Sequence, residues 1–143
     1  MIAESCELCS TEGGERIWRD ARLRVVRVPD PDYPGYCRVI WNGHVREMTD
    51  LSPADRSHMM NVVFAVEAAL RAIPDVEKIN LASLGNLTPH LHWHVVARTP
   101  GDRHFPEAIW AAAQTRAAAA RIEVSAEELT RAVRRALARL PGE

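Results

Sequence analysis

Residues 80–98 run from Asn80 to Arg98 as N-L-A-S-L-G-N-L-T-P-H-L-H-W-H-V-V-A-R. Three of the chain's six histidines, His90, His92 and His94, fall here at alternate positions and lead into Val95 and Val96. A strand returns its side chains to one face every second residue, so the imidazoles would share one face while Leu91, Trp93 and Val95 share the other. A helix would scatter the same histidines around its axis, and Pro89 immediately upstream favours an extended segment beginning there. A single histidine is most often a structural or solvent-facing group. Three in register point to a metal or catalytic site, because imidazole can ligate, accept a proton or attack near neutral pH.

Upstream of this strand, Val76 to Ala82 alternates loosely and predicts another, entering a turn at Gly85-Asn86. Before it, Thr49-Asp50-Leu51-Ser52-Pro53 opens a helix: Ser52 suits the N-cap, Pro53 the first helical position, and Asp55 can answer the cap. That helix is predicted to run to about Ala72, ended by Pro74-Asp75. Met59, Met60, Val63, Val66, Leu70 and Ile73 form its apolar face, and Val62 and Phe64 broaden it for burial against a sheet. The methionines read as core. Two earlier strands, Leu23 to Val28 and Tyr36 to Trp41, flank V-P-D-P-D-Y-P-G, whose prolines cannot continue a ladder. Arg16 to Val28 alternates imperfectly, and Met1 to Gly14 reads as loop and turn around Cys6-Glu7-Leu8-Cys9.

Downstream, Thr99 to Phe105 reads as loop and the alanine-rich Glu107 to Arg121 as helix. A final helix opens with a Ser125/Glu128 capping box and carries Leu129, Val133, Leu137 and Leu140 opposite Arg131, Arg134, Arg135 and Arg139, the arginines forming a solvated face. The sum is an α+β domain: an antiparallel sheet of at least four strands with a packed helix, and a helical C-terminal extension. Residues 1–120 form the catalytic part and residues 121–143 an extension of the same domain.

With 143 residues and 47% hydrophobic content, the chain supports one core. Its 18 Lys and Arg against 19 Asp and Glu argue against a nucleic-acid surface held by bulk charge, though not against a phosphate held locally. Met1 to Gly14 lacks the apolar run of a secretory signal, and Asn61, Glu67 and Arg71 interrupt the most apolar long segment. Three cysteines without a signal imply a reducing compartment, hence a cytoplasmic location, where a close pair means metal or redox chemistry more often than a bridge.

His90 to Val96, H-L-H-W-H-V-V, resembles the signature of the histidine-triad superfamily of nucleotide hydrolases and transferases, in its diadenosine tetraphosphate hydrolase-like form. The resemblance extends from the cysteine pair through Trp110. It implies that His92, the middle histidine, attacks the α-phosphate to form a nucleotidyl-imidazole, and that His94 contacts the phosphate and helps the leaving group depart. By the same resemblance Asn80, Gly85, Asn86 and Thr88 surround the phosphates, and Asp30 or Asp32 could reach a ribose. Tyr36, after Pro34-Gly35, stands where many members have a further histidine, a departure that bears on substrate preference and efficiency. Phe105 to Trp110 would form a lip over the nucleotide, with apolar packing the competing reading.

A bare C-x-x-C also fits a redox pair or two buried thiols. Branches of this superfamily hold zinc through an N-terminal cysteine pair, a histidine after the second strand and the first triad histidine, which here implies Cys6, Cys9, His44 and His90. Four protein ligands leave no open position, so the zinc would be structural. The partners implied are an adenosine-containing nucleotide and a second copy in a homodimer, with no nucleic acid and no membrane. A nucleotidyltransferase using the same intermediate, or a weakly catalytic nucleotide-binding regulator, are the alternatives.

Overall fold

The structure, a computed structural model, describes residues 3–117 and 121–141. In chain order, α1 (Glu7–Ser10), β1 (Glu15–Arg19), β2 (Leu23–Arg27) and β3 (Tyr36–Trp41) precede a 3-10 turn (Met48–Asp50) and the long helix α2 (Pro53–Arg71). β4 (Lys78–Ala82), β5 (His92–Arg98) and α3 (Ala126–Ala138) complete it. The strands form one antiparallel sheet of order β1-β2-β3-β5-β4, one more strand than the minimum the sequence predicts. The added strand is β1, whose register with β2 slips between Arg16 and Trp18 as Ile17 sinks into the core. Such a slip hides β1 from a strict period-two reading.

One face of the sheet is apolar, and β3 and β5 supply its centre with Cys37, Val39, Trp41, Val95 and Ala97. Against it lies α2, started as expected by Ser52, whose hydroxyl accepts from Asp55 N, and by Pro53 at the first helical positions. The Asp55 carboxylate does not answer the cap; it accepts from Arg22 Nη1 at 2.9 Å, tying the helix start to the turn between β1 and β2. Met59, Val63, Val66 and Leu70 are buried as expected, but Phe64 is 51% exposed. The second apolar side of α2 is covered by α3, whose Leu129, Val133 and Leu137 join the same core. The Ser125/Glu128 capping box closes in both directions. Arg134, exposed on the solvated face as expected, also donates Nε–H to the Ile17 carbonyl at 2.8 Å and fastens α3 over the slip in β1.

Two local expectations fail. The described part of Glu107 to Arg121, residues 107–117 and 121, contains no helix; turns there are held by bonds such as Gln114 N to Arg103 O at 2.7 Å. Alanine propensity without an apolar stripe gives nothing to dock, and short isolated helices are marginal in water. Residues 118–120 lie outside the described residues. The N-terminal segment, read as loop, contains the single helical turn α1. No helix among the described residues is long and apolar enough to cross a membrane.

Candidate functional site

The face of the sheet opposite α2 carries two of the three histidines. Cross-strand pairing aligns Ile40 with His92, Arg38 with His94 and Tyr36 with Val96, while Ala82 and Asn80 on β4 pair with His94 and Val96 from the other side. His92 and His94 therefore project from one face, their rings edge to face with centroids 4.9 Å apart. His90 lies just before the strand.

Backbone carbonyls fix two of the three imidazoles, and they do so through opposite nitrogens. His92 donates Nδ1–H to the His90 carbonyl at 2.5 Å, since a carbonyl can only accept; its Nε2 therefore holds the free lone pair. His90 donates Nε2–H to the Trp41 carbonyl at 2.6 Å, so its lone pair is at Nδ1. Burial disfavours the charged form of each ring and lowers both pKa values, although the same carbonyl bonds oppose the shift. His94 is lowered further, to about 3, by burial first and then by the fields of His92 and Arg38. Its Nδ1 lies 2.8 Å from the Tyr36 hydroxyl, and Trp110 packs edge-on against its other side at 4.8 Å between centroids. Burial raises the Tyr36 pKa, so the phenol keeps its proton.

The free Nδ1 of His90 faces the thiols of Cys6 at 3.3 Å and Cys9 at 3.5 Å, and His44 Nδ1 lies 3.4 Å from Cys9. One donor atom from each of the four residues falls within 4.8 Å of all the others. Cys6 is the N-cap of α1 and Cys9 lies within it, three residues on and close to one turn, which places both sulfurs on one side. Tetrahedral zinc with Zn–S near 2.3 Å and Zn–N near 2.0 Å separates its ligands by about 3.5 Å. Two soft thiolates and two neutral imidazoles at these separations fit that ion, and the set is closed to a fifth group.

The other expected residues divide. Asn80 reaches the triad face, where its Oδ1 accepts from Arg98 Nη1 at 2.7 Å. Gly85 takes φ +73, a left-handed value suited to glycine, and turns the loop toward β5, where Ser83 Oγ donates to the His92 carbonyl at 2.8 Å. Asn86 is exposed, and Thr88 lines a cavity with Cys6 and His44 beside the cysteine and histidine cluster. Asp32 is engaged by Arg103 Nη1 at 3.0 Å, and Asp30 Oδ1 accepts from Asp32 N at 2.9 Å. Trp110 is 47% exposed and adjoins an open cleft of about 880 Å³ along β4 that Lys78, Asn80 and Ala82 also line. The histidines themselves do not line it.

Sequence reasoning missed one network. Arg98, 2% exposed at the end of β5, donates to Asp102 at 2.7 and 3.0 Å, to Asn80, and to the Glu107 carbonyl at 2.7 Å. Asp102 also accepts from His104 N and Phe105 N and holds the loop leading to Trp110. The available signal was an arginine at the period-two position that continues His92, His94 and Val96.

A HIT domain model matches residues 13–101. A comparison with curated proteins gave no match. A histidine triad protein from Bradyrhizobium japonicum is 30% identical, with 87% of this chain and 90% of that one covered and a TM-score of 0.69. A Zn-bound histidine triad family protein from Mycobacterium smegmatis is 26% identical, with 94% of both chains covered and a TM-score of 0.61. A histidine triad protein from Marinobacter aquaeolei, at 18% identity, shares the fold over 99% of this chain and 100% of its own, with a TM-score of 0.73. The alternating histidines that lead into β5, the matched model and the 30% identical structure agree: the chain belongs to the histidine triad (HIT) family.

Proposed function

We propose that this protein is a nucleotide hydrolase that acts on dinucleoside polyphosphates or nucleoside phosphoramidates and releases a nucleoside monophosphate. HIT proteins are commonly nucleotide hydrolases or transferases, which supports the class of reaction. The observation that carries the reading is the bond from His92 Nδ1 to the His90 carbonyl, which leaves a neutral imidazole with its Nε2 lone pair fixed outward. His92 Nε2 attacks the α-phosphorus, the bridging bond breaks, and the nucleotidyl group rests on the ring. Tyr36 donates to His94 Nδ1, so that His94 presents Nε2–H to the phosphate and the departing group. Water then attacks phosphorus and gives up a proton to solvent, the P–N bond breaks, and its electron pair returns to His92 Nε2. Asn80, Gly85, Asn86 and Thr88 frame the phosphates, and adenosine is the expected nucleoside.

Zinc bound by Cys6, Cys9, His44 and His90 fastens the N-terminal segment to the strand that carries the nucleophile. The donor set and its spacing support this, as does the Zn-bound relative from Mycobacterium smegmatis. The protein acts as a homodimer in the cytoplasm; a monomer mass in sedimentation at all working concentrations would reject the dimer.

The deciding experiment incubates the protein with labelled diadenosine tetraphosphate, quenches it, and maps the label. Label on His92, with AMP as product whether or not phosphate is present, is the expected result. Transfer of the nucleotidyl group to added phosphate would assign a nucleotidyltransferase. Binding with no label and no product would assign a regulator.

A further inference from the structure

Of the arginines that the strands direct onto the face of the triad, Arg24 and Arg98 are fully occupied, and Arg16 and Arg19 pair with Glu12. Arg24 donates to the carbonyls of Leu8, Thr11 and Glu12 and to Asn42 Oδ1. Arg98 is neutralised by Asp102 and further bonded to Asn80 and Glu107. Arg38 differs from both. It stands opposite His94 across the β3–β5 ladder, with its guanidinium carbon 5.8 Å from the Tyr36 ring centroid. Nη1 donates to the Gly13 carbonyl at 2.9 Å, but Nε is buried with no acceptor, and no carboxylate pairs with the group among the described residues.

A half-buried guanidinium with an orphaned N–H and no counter-charge is costly to hold, and the cost falls when an anion docks. Its position is built rather than incidental. Gly13 has φ +81, and a Cβ there would come within 2.8 Å of both Ile40 Cδ1 and Leu8 Cδ2, so glycine is what lets this carbonyl reach Arg38. The charge of Arg38 is felt by both His92 and His94. The residue opposite His92 itself is the apolar Ile40. Arg38 begins one same-face step further along the strand, about 7 Å away, a spacing for the next phosphates of a chain more than for the one under attack.

We propose that Arg38 binds a phosphate of the substrate beyond the one His92 attacks, and so selects substrates whose leaving group is itself phosphorylated. This rests on His92 as the nucleophile. The contact is a guanidinium fork on phosphate oxygens, for which lysine is an incomplete substitute.

The test compares two donors of the same adenylyl group, diadenosine tetraphosphate and adenosine 5′-phosphoramidate, whose leaving group is an uncharged amine. Arg38→Gln should lower kcat/KM for the tetraphosphate by about 10- to 100-fold, the loss of a charge-assisted contact. The phosphoramidate should stay within about 3-fold. Arg38→Lys should fall between wild type and Arg38→Gln on the tetraphosphate alone, and it carries the test if the glutamine variant does not fold. Zinc content and circular dichroism of the tested variant should match wild type. Equal losses on both substrates, or no loss on either, would overturn the assignment. If wild type turns over neither substrate, the hydrolase reading falls and calorimetry with inorganic pyrophosphate decides: weaker binding by Arg38→Gln than by wild type upholds the anion site, and equal or absent binding removes it.

Discussion

His90 and His92 sit two residues apart, both buried and both bonded to a main-chain carbonyl, yet they expose opposite nitrogens to opposite neighbours. His90 gives its Nε2 hydrogen to Trp41 and turns its Nδ1 lone pair toward two thiols. His92 gives its Nδ1 hydrogen to His90 and keeps Nε2 free. Residue type does not divide the two roles; which ring nitrogen the backbone engages does. The carbonyl that fixes His92 belongs to His90, so the metal cluster and the proposed nucleophile are joined by one hydrogen bond.

The sharpest way to break the comparison is to remove one member at a time. His92→Ala should lower steady-state turnover of diadenosine tetraphosphate by at least about 1,000-fold, the scale for losing a nucleophile, while zinc per chain measured by elemental analysis stays unchanged. Loss of metal together with activity would mean the two sites are one. Conversely, chelation or Cys6→Ser should remove the metal and lower Tm in a thermal melt, since a ligand bound to the folded state stabilises it. Activity should then fall less than in His92→Ala, because the bond from His92 to the His90 carbonyl does not need the ion.

The far end of β5 offers a control without a free lone pair. Asp102 titrates at about 2: burial alone would raise it, but Arg98 and the His104 and Phe105 amides outweigh burial. A folded pKa below the unfolded 3.8 gives stability that is complete above about pH 5 and is lost as pH falls through 2. Its size is about 2 kcal/mol. Urea unfolding of wild type should track that loss, and Asp102→Asn should be destabilised at neutral pH with that part of the acid dependence removed. The smallest effect is expected from Tyr36→Phe, which frees His94 Nδ1 from its donor. Its kcat should drop by about 10-fold with KM within about 2-fold, as for a group that acts on the transition state. A KM change alone would make Tyr36 a binding residue.

Much of this arrangement is legible in the sequence because its signals are local. Alternation at His90–Val96 gives β5 and its two faces, and Ser52-Pro53 and Ser125/Glu128 give the starts of α2 and α3. The four metal-cluster residues were reached through resemblance, which supplied the long-range pairing that spacing cannot. What failed depended on a docking partner. The alanine-rich segment has propensity but no stripe, and Phe64 is apolar on a helix whose two covered sides were already filled by the sheet and α3. Arg38 and Arg98 look alike in sequence; only the fold gives one an aspartate and leaves the other without one among the described residues. The choice of ring nitrogen at His90 and His92 is set by where the Trp41 and His90 carbonyls fall, and no residue code carries that.

The N-terminal strap has a mechanical consequence. Besides the cysteines, four successive attachments hold it to the sheet: the carbonyls of Leu8, Thr11 and Glu12 on Arg24 and that of Gly13 on Arg38. The two fastenings overlap at Leu8, which lies between Cys6 and Cys9, and the other three attachments lie beyond the cysteine pair. Opening the metal site therefore lets the segment before Leu8 swing about it like a latch on its hinge, while the arginine attachments stay shut over β2 and β3.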